Sequence, residues 1–259
     1  MFSRLKMLSL AFLFAFVLPI VAAVGWWSTV DRPNSWHSAD WGPSGTLPAA
    51  REVPDAVVHV MSARTGGLKG ALSVHSWIVT KRAGERSYTR YDKVGWGRPV
   101  RRNAYAADAY WYSNAPTILT TLRGEEAERA IEGIERAVRE YPHSGRGGYR
   151  IWPGPNSNSF IAHVLREVPA LRVNLPELAV GRDFPTDGRL LAWDGARRDL
   201  RLSAWGYAGL TVGMTSGIEV NLLGLVAGID LARPALKLPG FGRVGMAPAI
   251  RETLPGEAA

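Results

Sequence analysis

The amino-acid sequence predicts an α+β fold: an antiparallel sheet packed with two helices, behind an N-terminal transmembrane helix and ahead of a C-terminal β-hairpin. Three patterns predict it. Residues 7–30 carry no charge, residues 55–122 hold short runs of alternating or β-prone side chains, and residues 125–140 and 157–167 repeat apolar side chains at three- and four-residue steps. The corresponding division is 1–27 as membrane anchor or signal segment, 28–54 as linker, 55–185 as the α+β core and 186–259 as the hairpin extension.

The first element follows from length. A hydrocarbon core of about 30 Å takes about 20 apolar residues in a helix, and the run from Met7 through Val24 meets that requirement. Signal-peptide cores are shorter, about 7–15 residues, so a retained anchor is expected, with cleavage after Ala23 as the alternative. Trp26 and Trp27 fall where an interfacial aromatic belt is expected. Arg4 and Lys6 precede the run and only Arg32 closely follows it, which puts the N-terminus in the cytoplasm and the bulk of the chain outside.

Residues 28–54, rich in Pro, Ser, Gly and Trp, read as a linker or an extended arm over the domain surface. Strands are expected at 55–62, 70–81 and 86–94. In the second of these, Leu72, Val74 and Ile78 alternate with Ser73, His75 and Trp77. Weaker strand signals lie at 108–113 and 117–122. Over 125–140, Ala127, Ala130, Ile131, Ile134 and Ala137 mark one helix face, acidic residues crowd the first turn, and Pro142 ends the element. A second helix is expected from Ser157 to Glu167, with Phe160, Ile161, Val164 and Leu165 inward and Pro169 beyond its end.

Residues 202–232 are apolar enough to suggest another membrane span. Against that, Leu200, Leu202, Ala204, Ala208, Leu210 and Val212 keep a period of two, and Glu219 and Asn221 interrupt the middle. A carboxylate at the centre of a span costs about 3 kcal/mol, so two paired strands, 200–214 and 218–229, are expected instead.

Composition removes several chemistries. No cysteine occurs, which excludes a thiol nucleophile, disulfides and zinc sites built on thiolates. No histidine or carboxylate spacing fits a metal, and no cofactor motif is present, so neither is expected. The net charge of +8 suits a protein beside anionic lipid or acidic polymer. No basic helix or recognition motif accompanies it, and no nucleic-acid partner is expected. Residues 213–217 carry Thr215 at their centre and lack a strand–turn–helix context, so they form no nucleophile elbow.

The segment 152–160, Trp-Pro-Gly-Pro-Asn-Ser-Asn-Ser-Phe, is more informative. Its prolines and glycine force a turn and its small polar residues open a helix, presenting free backbone N–H groups and a positive dipole end. Two readings stand: Asn156, Ser157 or Asn158 is an N-cap, or a hydroxyl there has its developing oxyanion stabilised by those groups.

Asn156-Ser157-Asn158-Ser159-Phe160 resembles the asparagine–cysteine–asparagine–x–phenylalanine pattern of circularly permuted papain-like hydrolases of the NlpC type. The strand Val74-His75-Ser76-Trp77-Ile78-Val79 resembles the one that carries their histidine, and the order, strand histidine first, is the permuted one. The resemblance implies a permuted papain-like fold, with Ser157 as nucleophile, His75 as base and Asn156 or Asn158 near the oxyanion. Asp92 and Tyr91 on the next strand are candidates to orient His75, with Trp77 beside it. The family nucleophile is cysteine; serine is weaker and depends on an adjacent base. Two functions are therefore carried forward: a hydrolase or acyltransferase for amide or ester bonds of envelope material, and an inactive descendant that binds a peptide, lipid or protein partner. In its apolar N-terminus, its His75-Ser76-Trp77 strand, its segment 154–158 and its glycine-rich C-terminal hairpin the chain as a whole also resembles an uncharacterised bacterial family, the domain of unknown function numbered 3750; in a bacterium, the charge bias around the apolar run puts the anchor in the inner membrane and the domain in the periplasm.

Overall fold

The fold is described from a computed structural model, over residues 2–247. It opens with α1 (Phe2–Phe12), a π-helical turn at Leu13–Val17 and α2 (Leu18–Thr29), running as one rod. Pro19 has no N–H for the carbonyl four residues back, and the helix loosens in the turn just before it, where Leu18 N–H reaches Leu13 O. The stretch Arg4–Thr29 is long and apolar enough to cross a bilayer. Phe16, Pro19, Ala23 and Trp27 form its one buried stripe.

The core is a five-stranded antiparallel sheet in the order β4-β3-β2-β1-β5, built from β1 (Val57–Arg64), β2 (Val74–Lys81), β3 (Thr89–Lys93), β4 (Val100–Arg102) and β5 (Thr117–Arg123). Helices α3 (Gly124–Arg139) and α4 (Ser157–Glu167) cover one face. Val58, Val60, Val74, Ile78 and Tyr91 point there and meet Ile131, Ile134, Phe160 and Ile161. Met61, Ala63, Trp77 and Val79 point the other way, onto Leu47 and Trp111. The α+β class with two packed helices is thus observed.

Two local expectations change. The stretch expected as linker or extended arm is an arm from the end of α2 at Thr29 onward: Pro43 bridges Ala109, and the Trp41 ring lies 4.5 Å from Tyr112 and 5.0 Å from Trp111. Residues 108–113 form no strand, only isolated bridges. Tyr112 and Ser113 sit at φ 52° and 63°, a left-handed kink that ends extended pairing, and the aromatic side chains there plug the sheet face instead.

The expected hairpin is a seven-stranded antiparallel meander: β6 (Leu191–Asp194), β7 (Asp199–Ala204), β8 (Ala208–Gly213), β9 (Gly217–Leu222), β10 (Leu225–Asp230), β11 (Ala235–Leu238) and β12 (Gly242–Gly245). Each long strand expected from the sequence is itself a hairpin. Leu223 and Gly224 at φ 55° and 80° make a two-residue turn between β9 and β10, and Trp205 and Gly206 reverse the chain between β7 and β8. Cross-strand pairing lines up one side chain from every strand on the outer face: Trp193, Leu200, Val212, Ile218, Ile229, Leu236 and Val244. The inner face is polar. Glu219 is buried there between Arg182 and Lys237, and Asn221 donates to Asp183 Oδ2 at 2.6 Å.

Candidate functional site

Helix α4 begins where the sequence places it, and its start is tightly wired. The Asn156 side chain accepts the Asn158 and Ser159 backbone N–H groups at 2.9 and 3.1 Å, and Ser159 Oγ accepts the Asn156 N–H, closing a capping box. Asn156 Nδ2 donates to Ile151 O and Val180 O, and Asn158 Nδ2 donates to Val74 O and Val180 O, all within 3.0 Å. Both asparagine amides are therefore engaged in tying the helix start to β2 and to the strap 175–183, and neither is a free oxyanion donor.

Ser157 is 5% exposed in the first turn of α4, the helix that covers the Val74 and Ile78 face of the sheet. His75 lies on the other side of that sheet. Strand alternation turns it with Trp77 away from Val74 and Ile78, which are the residues that α4 covers. The imidazole stacks on Trp111 at 3.7 Å and 5°, with Trp77 at 5.9 Å. Its Nε2 is 3.6 Å from Asp92 Oδ2, an ion-pair distance longer than a hydrogen bond. Asp92 pairs at 3.0 Å with Arg90, whose guanidinium lies 4.1 Å over Trp77. Burial pushes the His75 pKa down, only partly offset by Asp92, so the ring is neutral at pH 7. Burial alone would raise Asp92, but His75 and Arg90 outweigh it and hold the carboxyl below its ordinary range.

The structure thus brings His75, Asp92 and Trp77 together, in an aromatic box with Arg90, and Ser157, Asn156 and Asn158 together at the head of α4. Tyr91 faces the helices and cannot orient His75. No hydrogen bond joins Ser157 and His75 among the described residues.

What does share a sheet face with the head of α4 is Lys93, which the sequence reading passed over. It is fully buried, donating to Gly148 O at 2.5 Å and Tyr141 OH at 3.2 Å, with no carboxylate partner among the described residues. Burial pushes its pKa down to about 7. Tyr141 and Tyr149, both raised by burial, and His143 face it from the segment after α3. Ser76, on the same face of β2, is buried with no hydrogen-bond partner for its Oγ among the described residues. The readable signal was alternation in β3, since Lys93 follows the inward Tyr91 by two.

A depressed lysine has a calculable consequence. The unfolded chain holds the Lys93 proton up to about pH 10.4 and the folded one releases it near 7. Between these values the unfolded state binds more protons, so stability rises with pH. Lys93→Met is expected to flatten that rise and to stabilise the protein most at pH 7 and below, in denaturant titrations from pH 6 to 10. An unchanged pH profile would show that Lys93 titrates normally.

His59, buried on β1, donates to or accepts from Thr121 at 2.9 Å and is lowered to about 4 by burial, which makes it a neutral core residue. No cluster of metal-ligating side chains occurs among the described residues. No curated protein and no solved structure matches the chain. A family model described as protein of unknown function, DUF3750, does match, over residues 55–184, which run from β1 through α4 and the strap and stop short of the seven-stranded sheet. That match spans just over half of the sequence and contains the whole of the site, and the chain belongs to the DUF3750 family.

Proposed function

We propose that this is a membrane-anchored protein of the bacterial cell envelope, with its bulk in the periplasm, whose core binds a peptide, lipid or protein partner and does not use a Ser157–His75 dyad. The observation that supports this reading is that His75 faces away from the sheet face covered by α4, the helix that carries Ser157. A serine depends on a base within hydrogen-bond reach, near 3 Å. His75 is instead enclosed by Trp111, Trp77 and the Arg90–Asp92 pair.

A second reading keeps hydrolase or acyltransferase chemistry at Ser157, with Lys93 in the role of base. A buried lysine near pKa 7, on the sheet face that α4 covers, favours it. Labelling of the full-length protein with a serine-reactive fluorophosphonate separates the two. The expected result is no labelling above the level of Ser157→Ala. Labelling lost in Ser157→Ala and Lys93→Met but kept in His75→Ala would establish the second reading. Loss in His75→Ala as well would restore the dyad.

A further inference from the structure

The seven-stranded sheet is turned inside out for a soluble protein. An antiparallel sheet with one solvated face puts polar side chains outward. Here the polar set, Glu219, Asn221, Asp199 and Lys237, is buried against the core, and the apolar rows face out. Residues of the row that crosses all seven strands are 38% to 64% exposed, and Leu191, Leu202, Leu210 and Val220 form a second exposed row beside it. With strands about 4.8 Å apart, the row runs for about 30 Å. Single exposed apolar residues need no explanation, but a contiguous patch of this extent marks an interaction surface.

One part of that face is already covered, and the cover names the occupant. Ala227 pairs with Val220 and so shares its face, yet it is buried, and the helical turn Leu13–Val17 packs on β10. Further along, a Cβ at Gly240 would come within 2.2 Å of the Ala23 Cβ, and the Trp26 ring lies 6.5 Å from Phe241. The apolar helix therefore crosses the outer face of the sheet at β10 and the β11–β12 turn. Length decides the rest. Residues 4–14 of the helix are exposed, free of burial by protein, and Phe16 is the first buried. That free part rises by only about 17 Å, at about 1.5 Å per residue, against a hydrocarbon core of about 30 Å. A bilayer that takes up this helix reaches the sheet.

We propose that the outer face of the seven-stranded sheet is a lipid-contacting surface, covered by acyl chains and continuous with the apolar helix that lies on it. The inner-face ion pairs fit this arrangement: they keep every charge of the sheet's middle strands on the side away from lipid. Trp205 and Tyr207, exposed at the β7–β8 turn, are placed to mark the headgroup level at one end of the face.

The proposal rests on membrane insertion of the helix, and the absence of native cysteine lets one experiment test the two separately. Single cysteines are introduced as Leu202→Cys and Val212→Cys on the sheet, Leu10→Cys on the helix and Arg129→Cys on the exposed side of α3. The full-length protein is labelled with an environment-sensitive fluorophore and reconstituted into phosphatidylcholine vesicles. Quenchers are attached to the acyl chains or dissolved in the water as iodide. Labels at positions 202 and 212 are expected to be quenched by the acyl-chain probe several-fold more than the label at 129, and to be shielded from iodide. Acyl-chain quenching at 10 with none at 202 or 212 overturns the proposal and leaves the anchor standing. No acyl-chain quenching at any of the three overturns both. Shielding from iodide at 202 and 212 without acyl-chain quenching would overturn it in favour of a second copy of the chain on this face.

Discussion

Asp92→Ala is expected to lower the unfolding free energy by about 3–5 kcal/mol, the range for removing one partner of a buried ion pair. Asp92 and Arg90 are each 1% exposed. Among the described residues the guanidinium keeps one other hydrogen bond, from Nη1 to Ala106 O at 3.0 Å, and its Nε has no acceptor. Deleting the carboxylate would leave a cation against Trp77 and Trp111 with one carbonyl to solvate it. His75, neutral or cationic, cannot supply the lost negative charge. Asp92→Asn keeps an acceptor oxygen and should cost less. The sign of the pH dependence is fixed by the lowered carboxyl: its stabilisation is present above the ordinary carboxylate pKa near 4 and fades as pH falls further. The deficit of Asp92→Ala relative to the parent should therefore shrink in acid. Urea titrations at pH 7 and pH 3 measure both numbers. A cost under about 1 kcal/mol at pH 7 would mean that the pair behaves like a surface one.

The same box explains where the sequence was a sufficient guide and where it was not. Helix α4 was expected at Ser157–Glu167 and is found there, and α3 lies within a residue of its expected ends, because caps, prolines and a three-to-four periodicity are local. Strand β2 was equally legible. Its alternation sets His75 with Trp77 against Val74 and Ile78, which is how the two faces divide. The motif resemblance matched His75 to a catalytic position by order along the chain, and order does not carry the direction of a side chain. Lys93 was hidden by its type, since a lysine at a strand end usually reads as solvated. Its burial depends on Tyr141 and Gly148, some fifty residues on.

In the C-terminal region the period of two was visible, but periodicity defines two faces without saying which one meets the core. The usual assignment puts Leu202, Leu210 and Val220 inside. The structure reverses it because Arg182 and Glu177, on the strap after α4, supply the counter-charges that Glu219 and Lys237 need. Those partners lie about forty and sixty residues from the charges they neutralise, outside any local window. The turn signals were present in Gly206 and Gly224. Leucine and tryptophan beside them, both left-handed, obscured the two hairpins they make.

That network carries the second large effect. Glu219→Ala is expected to cost about 3–5 kcal/mol, because it strips the shared carboxylate from two buried cations at once. Glu219 is 4% exposed and bonds both Arg182 and Lys237. Each cation retains one acid: Lys237 lies 3.2 Å from Glu177, and Arg182 lies 3.7 Å from Asp183. In the parent, burial opposes the charge on Arg182 but the surrounding acids, Glu219 foremost, raise its pKa; in the variant it still cannot escape by releasing its proton, because a guanidinium does not deprotonate in proteins. The charge of Lys237 can be removed by substitution. Lys237→Met made on top of Glu219→Ala should therefore recover part of the cost, and the pair should fall short of the sum of its single variants. Simple additivity would contradict a shared network. The location of the damage is a further check. The strap and the sheet meet through these charges, so a protease should cut Glu219→Ala after residue 185 while the segment from β1 through α4 stays intact. Cleavage spread evenly over the chain would mean instead that core and sheet unfold as one unit.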